Sequence, residues 1–342
     1  AAAAPSSAAL QRDVSVSLEK LGNVLVAQGD LAGAGMCFQE SYDIRKRLAA
    51  AAPSSAALQR DVSVSLDMLG AVLVTQGDLA GARLRFQESN EIVKRLAAAD
   101  PGSAALQRDV SISLERLGDV LVAQGDLAGA RLRLQESYDI VKRLAAADPS
   151  SASLQRDVGV SLEKLGNVLV DQGNFAGARL RFQESYDIAK RLAAADPSSA
   201  ALKRDVSVSL EKLGKVLVTQ DDLAGAWLCF QESYDIRSRL AAADPSSAAR
   251  QRDFSVSLER LGDVLVAQGD PAGAWLYFRE SYDILKRLAA ADPSSAERQR
   301  EVSVSLNKLG DVLVAQGDLP GAWLRFQESY GIAERLAAQV DA

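Results

Sequence analysis

From Ser7 to Gln28 the residues Leu10, Val14, Leu18, Leu21 and Leu25 fall three or four positions apart, which is the spacing of one helical face and not of a strand. Gly29 and Asp30 interrupt the pattern. It resumes with Ala34, Phe38, Ser41, Ile44 and Leu48, so a second helix is predicted from about Leu31 to Ala50. Asp30 suits the cap of that second helix, because a carboxylate accepts hydrogen bonds from the free backbone N–H groups of a first turn. Each helix has roughly 20 residues and should be about 30 Å long.

The same two-helix pattern returns along the whole chain. Pro5, Pro53, Pro101, Pro149, Pro197, Pro245 and Pro293 stand 48 residues apart, each in Asp-Pro-Ser-Ser or a close relative that ends one helix and starts the next. In the last copy, Ser294 and Glu297 have capping-box spacing. The two other prolines, Pro271 and Pro320, follow Asp270 and Asp318 by one and two residues, inside a first turn where a missing N–H costs little. The chain therefore divides into repeat units 5–52, 53–100, 101–148, 149–196, 197–244, 245–292 and 293–340, read as one repeat domain over 1–342.

Within each unit the run Leu18, Leu21-Gly22, Leu25, Gly29-Asp30, Ala34, Phe38, Ser41, Ile44 resembles the tetratricopeptide repeat signature in order and spacing. Small residues at Gly22, Ala34 and Ser41 allow two helices to approach closely, and Phe38 fills the gap beside them. The unit departs from the family in length, 48 residues against about 34, so its helices are extended at their outer ends. Lys46 also stands where the family has its helix-ending proline. The resemblance implies an all-α, right-handed superhelical solenoid of seven antiparallel helix pairs, with the first helices lining a concave face.

Composition narrows the chemistry. Histidine is absent, which removes Ser-His and Cys-His catalysis, histidine zinc sites and histidine proton relays. Every Ser, Glu or Arg that could be nominated for catalysis recurs in equivalent copies, so none is singled out, and the reading is that the protein is not an enzyme and needs no cofactor or metal. The Gly29, Gly33, Gly35 cluster lacks the strand and the Lys-Ser/Thr of a phosphate loop. Net charge is −6 and no unit is basic, which argues against nucleic acid as a partner. No stretch is apolar enough for membrane insertion. Cys37 and Cys229 lie four repeats apart, too far to bridge in a solenoid, and lone thiols suit a reducing, cytoplasmic compartment.

Projecting the family's inward positions places Glu19, Asp67, Glu115, Glu163, Glu211 and Glu259 in an acidic row beside a row of valines that begins at Val16 and Val64. Such a groove suits a basic or amphipathic peptide; equally, the carboxylates only solvate the helices. The family's carboxylate clamp needs lysine where Glu19 stands, and that mode is disfavoured. A variable row carries Asn23, Asp119, Asn167, Lys215, Asp263 and Asp311, marking either selected contacts or indifference. Trp227, Trp275 and Trp323 are candidate outer-surface anchors, with packing between repeats as the other reading. Asp43 and Arg47 have the spacing of a helical ion pair.

The function implied is a scaffold that binds a peptide or protein segment on the concave face. Two alternatives stand beside it: a self-assembling element stacked head to tail, and a sensor or docking arm of a larger bacterial signalling protein.

Overall fold

A computed structural model describes the backbone of residues 5–340 and the side chains of residues 8–338. Fourteen helices occur among the described residues: α1 (Pro5–Gln28), α2 (Leu31–Ala51), α3 (Ala56–Thr75), α4 (Leu79–Ala99), α5 (Ala104–Ala123), α6 (Leu127–Ala147), α7 (Ala152–Asp171), α8 (Phe175–Ala195), α9 (Ala200–Thr219), α10 (Leu223–Ala243), α11 (Ala248–Ala267), α12 (Pro271–Ala291), α13 (Ala296–Ala315) and α14 (Leu319–Val340). They form two compact units, residues 1–174 and 175–342, with the division falling between α7 and α8. Within each unit a helix packs on its neighbours in chain order, α1 on α2, α2 on α3 and onward, and likewise from α8 to α14.

The caps explain where each helix begins. Asp30, Asp78, Asp126, Asp222 and Asp270 each accept from the glycine N–H three residues on, at 2.8–2.9 Å. Pro271 occupies the first turn of α12, as its position predicts. The capping-box expectation at Ser294 is corrected: Ser295 is the cap of α13 and accepts from Arg298 N, while Ser294 hydrogen-bonds Asp292. The same serine register caps α3, α5, α7, α9 and α11. One residue of slip matters because the N-cap must lie just outside helical φ/ψ, and the first serine is still needed in the turn after proline.

The turn between paired helices requires a left-handed residue, supplied by glycine at φ of 73–83° in six repeats and by Asp221 at φ 61° in the fifth. A side chain in that region is strained relative to glycine. Asp221→Gly is therefore expected to stabilise the chain by about 0.5–1 kcal/mol, visible as a raised urea midpoint. An unchanged or lowered midpoint would show that Asp221 carries no strain.

Each repeat contributes the same core. Leu66, Leu114, Leu162, Leu258 and Leu306 are fully buried, as are Ala34, Ala82, Ala130, Ala178, Ala226 and Ala274 opposite them. Gly22, Gly70, Gly118, Gly214, Gly262 and Gly310, each from a Leu-Gly pair, lie under the large residue of the second helix. A Cβ on Gly70 would stand 2.5 Å from Phe86 Cε1, and one on Gly118 would stand 2.6 Å from Leu134 Cγ. Close approach, not turn geometry, is what excludes a side chain there.

Candidate functional site

The first helices carry the residues nominated for binding, and their surroundings are more organised than a bare acidic row. On α1, Glu19 accepts from Arg45 Nη2 at 2.6 Å; the Arg45 side chain is buried and its Nε reaches Ser15 Oγ at 3.1 Å. Glu211 has the same partnership with Arg237 at 2.8 Å, and also faces Lys215 at 2.6 Å and Arg260 at 3.3 Å. Burial alone would push the Glu211 carboxyl up, but Arg237 and Lys215 outweigh it and hold the group down at about 2.

Where the second helix offers no arginine, the cation comes from the next repeat. Arg116 approaches Asp67 at 3.7 Å, Lys164 approaches Glu115 at 3.8 Å, and Lys308 approaches Glu259 at 3.3 Å. Glu115 also accepts from Ser161 at 2.7 Å. These pairs are looser, and burial leaves both Asp67 and Glu115 above the ordinary carboxylate range despite Arg116 beside one and Ser161 and Lys164 beside the other. Glu163 is half-buried on α7.

The variable row divides by partner. Asp119 accepts from Lys164 at 2.5 Å and Asp263 from Lys308 at 2.8 Å. Lys215 turns to its own repeat's Glu211, and Asn23, Asn167 and Asp311 are exposed.

A second row of ion pairs, not anticipated from the sequence, runs nearer the start of the first helices. Arg12 grips Asp61 through Nε at 2.6 Å and Nη2 at 3.1 Å. The same two-pronged contact joins Arg60 to Asp109, Arg108 to Asp157, and Arg204 to Asp253. Arg252 divides its contact, with Nε on Glu301 and Nη2 on Glu297 at 3.2 Å. The available signal was the Arg-Asp dipeptide repeated in nearly every unit. Its arginine and the next unit's aspartate lie 49 residues apart, one more than the repeat.

Between the two rows lie the β-branched side chains. Val16, Ile112 and Val160 of residues 1–174 are 39%, 40% and 42% exposed, and Val64 is half-buried. Val304 in residues 175–342 is 46% exposed. The face is thus an apolar strip bordered by charges that already have partners.

The second helices present different features. Trp227 meets Tyr277 edge-on at 6.4 Å, and Arg279 lies 5.0 Å over the Trp275 ring. Trp275 also packs against the core that α13 contributes, whereas Trp323 is 61% exposed. Leu84, Leu132 and Leu180 are exposed singly, each between two arginines, as Leu132 is between Arg131 and Arg133. Those leucines were missed because the Arg-Leu-Arg run reads as a solvated helical face. The Asp43–Arg47 ion pair does not form: Gln39 donates to the Asp43 carboxylate at 3.0 Å, and Arg47 Nε donates to the Asp43 carbonyl. Cys37 and Cys229 are free thiols, and burial pushes Cys229 up to about 11.

Among the described residues no group of side chains has the makings of a metal site, and no helix is long and apolar enough to cross a membrane. Residues 158–197 match the family model described as tetratricopeptide repeat. Among solved structures the chain is similar to BtubC from P. vanneervenii, at 17% identity and a TM-score of 0.58, covering 77% of this chain and 92% of that one. It is similar to the apo form of RapI at 11% identity and a TM-score of 0.56, covering 95% and 99%. It is also similar to a signal transduction ATPase with numerous domains from Pyrococcus horikoshii that has a tetratricopeptide repeat sensor, at 12% identity and a TM-score of 0.61. That alignment covers 95% of this chain but only 42% of the ATPase. No curated protein matches the sequence. At these identities the likeness is one of fold.

Proposed function

Since the chain is built of tetratricopeptide-type repeats, we propose that it is a non-enzymatic scaffold, and that the first-helix faces of residues 1–174 hold an extended segment of another protein. The observation that carries this reading is the strip of Val16, Val64, Ile112 and Val160, β-branched side chains held at the surface between two rows of satisfied ion pairs. Solvated charge on both sides keeps such a strip soluble, and the strip itself offers apolar contact to alternate side chains of an extended peptide.

Of the two ligand chemistries considered from sequence, the amphipathic one is favoured over the basic one. Glu19, Asp67 and Glu115 already face Arg45, Arg116 and Lys164, so a basic peptide would have to displace a cation instead of neutralising a free carboxylate. Exposed Asn23 and Asn167 remain free to hydrogen-bond a peptide backbone.

Selection of a displayed library of random peptides against the whole chain tests this. Sequences with alternating apolar residues should be enriched, and Ile112→Asp with Val160→Asp should weaken their binding at least about ten-fold. Leu132→Asp, on a second helix, should leave affinity unchanged. Equal affinity for the wild-type and strip variants, or loss only with Leu132→Asp, would refute the assignment of the face.

A further inference from the structure

The outer face of the second helices changes character along the chain. In α4 and α6 the exposed leucine stands between two arginines, and the second arginine answers the glutamate three residues on: Arg85 lies 3.7 Å from Glu88, and Arg133 lies 3.5 Å from Glu136. In α10 and α12 neither arginine is kept. Trp227 and Cys229 flank Leu228, Trp275 and Tyr277 flank Leu276, and the glutamates remain as Glu232 and Glu280. From Asp78 to Glu91 three acids stand against two arginines, and from Asp126 to Asp139 the balance is the same. From Asp222 to Asp235 three acids stand against no cation, and from Asp270 to Asp283 three stand against Arg279 alone. The face has become both more apolar and more acidic.

The apolar side chains of α10 and α12 join into one surface. Trp227 meets Tyr277 edge-on, Tyr277 meets Tyr234 edge-on at 6.4 Å, and Tyr234 packs on Phe254 at 5.4 Å, so the rings hold one another in place. Leu228 and Leu276 stand out from this platform, 69% and 62% exposed. Both lie in repeats that have a further repeat before and after them in the chain, and both remain exposed.

The acids beside the platform lack the arginine found in α4 and α6. Glu232 accepts from the Tyr186 hydroxyl at 3.1 Å, as Glu88 accepts from Tyr42, with Lys190 behind that hydroxyl at 2.9 Å. Glu280 is exposed and has neither partner: Tyr234 is turned to Tyr277 and Phe254, and no cation lies on the Glu280 carboxylate among the described residues. Arg279 lies over the Trp275 ring, and Arg179 of α8 reaches only Asp222, at 4.0 Å. The surplus of negative charge is felt nearby. Burial pushes the Cys229 thiol up and Glu232 and Asp222 add to it, while burial and then Glu280 raise Tyr234.

The first-turn backbone is already engaged. Asp222 and Asp270 accept from Gly225 and Gly273, and Gln316 donates to the Pro271 carbonyl as Gln76 and Gln124 do to those of Leu31 and Leu79. A helical face has no open edge to pair with an extended strand, so it suits a helix, which brings its own backbone bonds complete.

We propose that the outer face of α10 and α12 docks a cationic amphipathic helix of another protein. The apolar stripe of that helix covers Leu228, Leu276 and the rings of Trp227 and Tyr277, and lysine or arginine bordering the stripe meets Glu232 and Glu280. The partner supplies from outside the cations that Arg85 and Arg133 supply to Glu88 and Glu136 from within.

Fluorescence anisotropy of a labelled synthetic helix of leucine and lysine, about 18 residues long with leucine at i, i+3, i+4 and i+7, tests this against the 342-residue chain. Binding should saturate and weaken with salt. It should fall at least about ten-fold in Leu228→Asp with Leu276→Asp, and equally in Cys229→Arg with Tyr277→Arg. The second pair installs residues that the fold already carries at Arg85 and Arg133, so it answers both glutamates without threatening the helices, and circular dichroism checks each variant. Leu132→Asp, and Ile112→Asp with Val160→Asp, should leave binding unchanged, and a leucine and glutamate helix of the same pattern should not bind. No saturable binding by the wild-type chain, undiminished binding by either paired variant, equal binding of the acidic helix, or loss in Ile112→Asp with Val160→Asp would overturn the proposal. Self-association or adsorption to phosphatidylcholine vesicles that Leu228→Asp with Leu276→Asp abolishes would also overturn it, by giving the surface to a second copy or to lipid. Peptides selected on the valine strip should bind that paired variant normally, so the two readings fail separately.

Discussion

Glu211→Gln is expected to destabilise residues 175–342 by about 3 kcal/mol, because it leaves the Arg237 guanidinium buried without its counter-charge. Arg237 is 4% exposed, with Nε on Ser207 Oγ and Nη1 on the Asp253 carbonyl, so it cannot follow solvent when the carboxylate is lost. The neighbouring repeat shows the remedy. Leu285 occupies the equivalent position and is equally buried, so Arg237→Leu added to Glu211→Gln should recover most of the loss. Hydrogen exchange of the α9 to α11 amides reads the effect locally. Full protection in Glu211→Gln, or no recovery in the double variant, would show that the pair is not the source of stability.

The same carboxylate sets a sign for acid. Its folded-state value of about 2 lies below the ordinary range, so its contribution is complete above pH 4.5 and is lost as pH falls from there through 2. Glu211→Gln should therefore flatten that portion of the acid profile. Asp67 and Glu115 act oppositely, since burial raises them and the folded chain takes up their protons more readily than the unfolded one.

The second large effect concerns the pairing of Gly262 with Phe278. Phe278→Ala should cost about 3–5 kcal/mol, and Gly262→Ala about 1–3 kcal/mol, because the added Cβ would lie 2.5 Å from Phe278 Cε1. The two should not add. With the ring removed, the methyl of Gly262→Ala enters the vacated space, and its cost in the Phe278→Ala background should fall close to zero. Thermal unfolding of the four proteins of the cycle checks this, and additivity within about 0.5 kcal/mol would refute direct opposition of the two groups.

Helix positions and pairing were legible because they depend on spacing alone. Leu10 to Leu25 and Ala34 to Leu48 name two faces, and the Asp30 caps and Pro271 confirm where the second helices begin. The partners of the charged residues were not legible. Periodicity places Glu19 on a face but does not say that Arg45, on the other helix of the same pair, reaches it. Nor does it say that Arg12 passes over its own neighbour Asp13 to hold Asp61. The expected Asp43–Arg47 pair fails for the converse reason: sequence spacing makes a contact available, and Gln39 takes the carboxylate first. One cue was present and unused. Arg45 and Arg237 stand 192 residues apart, as Cys37 and Cys229 do, at a position that is otherwise apolar or small in the first six repeats, which marks them as buried exceptions.

The arginine, lysine, glutamine and tyrosine ties span 45, 46 or 49 residues and so never reach past an adjacent repeat. If residues 101–148 were excised, Arg60 would meet Asp157, and Gln172 would meet the Leu79 carbonyl, with the geometry they now share with other partners. Loss or gain of a whole 48-residue block therefore preserves the pattern of ties, while an insertion of a few residues breaks it on both sides. Genes of this construction can change length by recombination between near-identical segments and still encode a foldable chain, so repeat number is a quantity on which selection can act directly.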